Sequence, residues 1–161
     1  MKSLYIRNLF AALIKKFNLS AQQLTDYIYQ SPLFEFDKKA IIESGLQAYL
    51  RGNDLVAIHL LIPQVEDAVR NLVEKEGGKV MQSQGNGFHV KTFDKLLNTS
   101  EFISAFGDEF GEDLKFYFRV LFTDPCGWNL RNNMCHGITP FFDVSDTDRV
   151  VHSLLCLALV R

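Results

Sequence analysis

The sequence predicts an all-α fold with one small β-hairpin inserted in it. Two observations carry this. Apolar residues recur at helical three-and-four spacing along most of the chain, and only residues 79–91 show strand, turn and strand in succession. With 161 residues, 47% of them hydrophobic and 14 of them Phe, there is ample material for a single core.

Taken in order, Ile6, Leu9, Phe10, Leu13 and Phe17 form a helical stripe with Arg7, Lys15 and Lys16 off it, which predicts an amphipathic N-terminal helix. The first 20 residues hold four basic side chains and no acidic one. The stripe is expected on the chain's own core, a membrane-surface or RNA contact being the alternative. Ser20 with Gln23 forms a capping box for a second helix that Ser31-Pro32 stops. Asp37 is expected to cap a third, with Ile42, Leu46, Tyr49 and Leu50 as its stripe and Gly52 as its end.

A turn at Asn53-Asp54 then opens the longest periodic stretch, from Leu55 to Lys75, with Pro63 predicting a kink or a fresh start inside it. His59, Pro63, Glu66 and Arg70 share one stripe there. Around Gln84-Gly85-Asn86-Gly87 the two flanking runs predict the hairpin. Short helices follow over Thr92–Leu97 and Ser100–Phe106. Leu114, Tyr117, Phe118 and Leu121 mark a longer helix, expected to be buried on most sides because Phe116 and Val120 lie on its other faces. A loop over Ile138–Val144 leads to a last helix capped by Ser145 or Asp146 and running through Val160, and the chain ends at Arg161 with no stop signal, as in a trimmed chain or a piece of a longer parent.

Composition narrows the chemistry. A net charge of -2 gives no footprint for gripping long nucleic acid nonspecifically, so no DNA partner is expected. Three cysteines, Cys126, Cys135 and Cys156, with no Cys-x-x-Cys pair, argue against a disulfide framework and a zinc site, and suit a reducing cytoplasm. His59, His89 and His152 are scattered without metal-ligand spacing. No signal peptide is expected, and no apolar run is long enough to insert stably in a membrane.

The densest chemistry lies in Asp124-Pro-Cys-Gly-Trp-Asn-Leu-Arg-Asn-Asn-Met-Cys-His-Gly137. Arg131 offers a permanently charged fork that matches phosphate oxygens, and His136 can exchange a proton near neutrality. Asn129 and Gly137 read as N-cap and C′ glycine of a short helix. On an ideal helix residues five apart lie about 140° apart, so Arg131 and His136 do not share a face, whereas Asn132 and His136 do. In the plainer structural reading, His136 complements the helix terminus while Arg131 pairs with Glu66 or an aspartate.

The string, with Pro63, Glu66 and Arg70 upstream, resembles the core motif of the HEPN superfamily, and more narrowly the domain shared with endoplasmic-reticulum-membrane-associated RNA degradation proteins. Arg131, Asn132 and His136 match that motif. The resemblance covers residues 53–161 and implies a HEPN-like antiparallel helical bundle, with residues 1–52 as N-terminal helices packing on or preceding it. It implies metal-independent RNA cleavage without a cofactor, His136 as base or acid, Arg131 stabilising the phosphate and Asn132 orienting His136 or binding phosphate. Because the motif supplies one histidine, a homodimer is expected. Asn129, Glu66 and Arg70 would support the site, with Lys115 and Arg119 as a basic edge. His59, on the Glu66 stripe, is a further proton carrier to consider, and Trp128 is expected in the core rather than stacked on a base. The alternative is a noncatalytic protein- or nucleotide-binding module of a larger protein.

Overall fold

Cap chemistry and apolar spacing fix the helix boundaries. The computed structural model describes residues 4–85, 87–139 and 141–161. Among these, nine α-helices occur: α1 (Leu4–Phe17), α2 (Ala21–Ile28), α3 (Lys39–Leu50), α4 (Asp54–Lys75), α5 (Phe93–Leu97), α6 (Ser100–Ser104), α7 (Asp108–Phe122), α8 (Leu130–Cys135) and α9 (Val144–Leu157). A 3-10 turn at Phe36–Lys38 precedes α3. The only sheet among the described residues pairs β1 (Met81–Gln84) with β2 (Gly87–Val90), antiparallel, with Met81 opposite Val90 and Gln84 opposite Gly87. The all-α class with a β-hairpin insertion is thus the observed one. Gly85 at φ +59° takes the left-handed conformation that a two-residue hairpin loop requires, while Asn86, also expected in that turn, lies outside the described residues.

The chain divides into two compact units. Of the described residues, one comprises those up to Val65, those of Thr139–Leu159 and Arg161, and the other those of Glu66–Ile138 and Val160, so α4 contributes to both. In the first unit, Ile28, Ile42, Leu46, Ile58, Leu61, Ile62, Leu154 and Leu157 are fully buried. Gly45 of α3 allows a close approach to α4: a Cβ there would stand 2.5 Å from Leu61 Cδ2. Thr147 Oγ1 on α9 donates to Asp54 Oδ1 at the start of α4, at 2.8 Å.

The second unit has an aromatic core in which Phe93, Phe102, Phe118 and Phe122 are all buried. Phe122 lies 5.4 Å from Phe93 and 5.7 Å from Phe118 between ring centroids, within the range of favourable tilted and edge packing. Val69 and Leu72 of α4 and Leu130 of α8 are buried here too.

Several boundaries differ from the sequence expectation. The Ser20/Gln23 capping box forms as expected. Asp37 caps nothing, because the chain already winds into the 3-10 turn and Lys38 occupies the N-cap position of α3. The last helix is capped two residues before Ser145 and ends at Leu157, short of Val160: Asp143 is the N-cap, accepting from the Ser145 and Asp146 amides, and Asp146 answers by accepting from the Asp143 amide. Pro63 makes no fresh start, and α4 is a single helix through it. A proline removes one donor, and the burial of Ile58, Leu61, Ile62 and Val65 around it outweighs that loss. Helix α7 is buried on one side only, with Phe116 standing in solvent.

Helix α1 departs furthest from expectation. Of the stripe meant for the core, Phe10 alone is buried, and Leu9, Leu13 and Phe17 face outward.

Candidate functional site

The site is built from the second unit alone. At the end of α7 the chain turns sharply through Asp124 to Gly127. Asp124 Oδ1 accepts from the Cys126 amide at 2.8 Å, and the Trp128 amide returns to the Val120 carbonyl at 2.9 Å. This return needs glycine at 127, since a Cβ there would collide with the Val120 carbonyl oxygen. Asn129 then adopts a left-handed conformation, φ +51°, which redirects the chain into α8. Leu130 plugs the core, and Arg131 and Asn132 follow it at the surface of that plug.

Asn129 holds the N-cap position without capping: its Oδ1 accepts instead from Asn132 Nδ2 at 2.8 Å. Its role is to orient Asn132, whose Nδ2 also points at the Thr123 carbonyl at 3.5 Å. The other end behaves as the sequence predicts. Gly137 is left-handed at φ +62°, its amide donates to the Met134 carbonyl, and the Ile138 amide donates to the Asn133 carbonyl. These two bonds form a Schellman motif, which leaves His136 as the C-cap residue.

Arg131 is fixed by two bonds. Nε donates to Glu66 Oε2 at 3.0 Å, and Nη1 donates to Asn132 Oδ1 at 3.3 Å. Burial opposes its charge, but the hydrogen bond and the charge of Glu66 more than offset this, and Arg131 holds its proton more tightly than a free arginine. Arg70 completes the group, with Nη2 3.6 Å from Glu66 Oε1 and Nη1 3.0 Å from Asp67 Oδ1. Four charged residues, Arg131 of the motif string and Glu66, Asp67 and Arg70 of α4, are therefore brought together, and the Arg131–Glu66 pairing is the one the plainer structural reading expected.

A cavity of about 230 Å³ opens beside them, lined by Thr92, Phe93, Asp94, Thr123, Arg131 and Asn132. Asp94 and Thr123 escaped sequence analysis. Asp94 Oδ1 accepts from Thr123 Oγ1 at 3.2 Å and from Arg119 Nε at 3.1 Å. No spacing rule links position 94 to position 131, so only the fold could join them.

Other expected residues are placed differently. His136 is exposed, does not line this cavity, and its ring has no partner among the described residues. Lys115 and Arg119 are not a free basic edge: Lys115 pairs with Glu112 at 2.6 Å and Arg119 with Asp94. Trp128 is half-exposed rather than core: the turn at Asp124 to Gly127 returns its amide to the Val120 carbonyl while its side chain stays partly in solvent. His59 belongs to the first unit, its Nδ1 2.7 Å from the Leu55 carbonyl. Among the described residues no three His, Cys, Asp or Glu side chains group to hold a metal ion, and no helix is long and apolar enough to cross a membrane. Comparison with family models, with curated proteins and with solved structures finds no match to this chain.

Proposed function

We propose that the chain is a HEPN-type, metal-independent endoribonuclease or RNA-processing domain working through Arg131, Asn132 and His136. The observation that carries this reading is the clamped Arg131. Its guanidinium is charged at every working pH, is anchored at Nε by Glu66, and lines an open cavity together with an oriented amide. Such a fixed cation can stabilise charge that grows on a phosphate without reorganising during the reaction.

In the proposed reaction a base takes the proton of a ribose 2′-OH. O2′ bonds to the adjacent phosphorus, the bond from phosphorus to O5′ breaks, and an acid protonates the leaving oxygen. The products are a 2′,3′-cyclic phosphate and a 5′-OH. His136 serves as base or acid, a role that an imidazole can fill by giving or taking a proton. The second proton carrier would be His136 of a second copy, and an exposed imidazole with no partner among the described residues suits such a shared cleft.

Incubating the purified chain with a structured RNA in EDTA, beside His136→Ala and Arg131→Ala, tests this. Cleavage by the wild type alone is expected. Cleavage surviving in both variants, or absent from the wild type at micromolar enzyme, would sink it.

One observation favours the noncatalytic reading. His136 does not line the Arg131 cavity, so in this reading the cavity alone binds a nucleotide or a protein segment through Arg131 and Asn132. Nucleotide binding by the wild type that is lost in Arg131→Ala but kept in His136→Ala, with no RNA cleavage by the wild type itself, would identify it.

A further inference from the structure

Helix α1 has the reverse of an ordinary surface helix. Tyr5, Leu9, Leu13 and Phe17 are 90%, 56%, 36% and 55% exposed. Set four residues apart, they drift by about 40° per step and fill an arc of about 120° on one side of a helix about 21 Å long. Lys16 falls within that arc, with its ammonium 5.2 Å from the centre of the Phe17 ring, and Lys15 flanks it. No acidic residue occurs in the first 20 positions.

The attachment of α1 to its own unit is slight and uses other residues. Phe10 is buried, with its ring 6.4 Å from that of His152, and Arg7 Nη1 reaches Asp148 Oδ1 at 3.5 Å. The outward arc takes no part in either contact. Leaving it in water forfeits the transfer energy of four large apolar side chains, which calls for something to cover it.

We infer that α1 is an interfacial helix whose Tyr5–Leu9–Leu13–Phe17 face seats on an anionic lipid surface. Charge complementarity selects this occupant. A second copy of α1 packed parallel would bring Lys15 and Lys16 against the same residues, where like charges repel, and packed antiparallel would offer them no carboxylate, since α1 contains none. A nucleic acid would meet the lysines but has no use for the leucines, whereas a bilayer boundary takes aliphatic side chains, an aromatic at each end of the arc and snorkelling lysines together. At 14 residues the helix lies in the headgroup plane and does not span the bilayer. This inference is independent of the ribonuclease proposal.

Sedimentation of the full chain with vesicles tests it, comparing phosphatidylcholine alone with phosphatidylcholine mixed with phosphatidylserine, at low and high salt. Binding is expected on the anionic vesicles only and should weaken at high salt. Lys15→Gln with Lys16→Gln should lower partitioning about thirtyfold, at about 1 kcal/mol per basic residue. Leu9→Gln with Leu13→Gln should lower it more than tenfold. Both pairs are exposed, so circular dichroism melts should match the wild type. Absence of vesicle binding, equal binding to neutral vesicles, or variants that bind as the wild type does would overturn the inference. So would a short RNA held through Lys15 and Lys16 by a chain that ignores vesicles.

Discussion

Removing the Glu66 carboxylate should loosen the whole Arg131 group, and its size can be worked from the pair's surroundings. The Nε to Oε2 distance is 3.0 Å, and the two side chains are 28% and 15% exposed for Arg131 and Glu66. A fully exposed pair contributes about 0–1 kcal/mol, whereas stripping one partner from a buried pair costs about 3–5 kcal/mol. This pair lies between those limits. Glu66→Ala should therefore lower the free energy of unfolding by about 2 kcal/mol, and Glu66→Gln, which keeps an acceptor for Nε, by about 1 kcal/mol. Urea titrations of Glu66→Ala, Arg131→Ala and the double variant give the coupling directly, expected at about 1–1.5 kcal/mol. A coupling below about 0.3 kcal/mol would mean that the two side chains act independently, and that Glu66 does not hold Arg131 in place.

Gly127→Ala should destabilise by at least about 2 kcal/mol, because the new Cβ meets the Val120 backbone rather than a movable side chain; a thermal melt within a degree of wild type would contradict this. Cys126 and Cys135 are exposed, while burial pushes the Cys156 thiol up to about 11. A disulfide reagent at mildly alkaline pH should thus modify two thiols quickly and the third only on unfolding, and three equal rates would be the contrary result. Burial lowers the His152 pKa below the 6.5 of the unfolded chain, so the unfolded state binds more protons as pH falls through that value. Stability should be full above about pH 6.5 and decline towards pH 5.5, and this slope should flatten in His152→Gln. Equal slopes in urea titrations of the two proteins would rule out His152 as the cause.

Where a signal is local, the sequence shows the fold well. The Ser20/Gln23 box, the Gly85 hairpin turn and the Gly137 helix end each depend on residues within one turn of each other, and each is found in place. The Glu66 to Arg131 pair was legible for a different reason, as one of two partners that a charged residue beside a core helix would seek. What stayed hidden depends on the packing of distant segments. Asp94 and Thr123 reach the Arg131 cavity only because α5 and α7 meet through Phe93 and Phe122. The outward stripe of α1 was misjudged because periodicity marks an apolar face without telling what covers it. Asn129 was placed correctly at the start of α8, yet its left-handed backbone turned its side chain from a cap into a support for Asn132.

The ends of the cleaved RNA test the proposed chemistry most directly. Mass spectrometry of fragments made by the wild type in EDTA should find a 2′,3′-cyclic phosphate on one fragment and a 5′-OH on the other. A substrate with a single 2′-deoxy ribose at the cleaved position should stay intact there. Fragments that carry a 5′-phosphate, or cutting that ignores the missing 2′-OH, would contradict the proposed attack by the ribose oxygen.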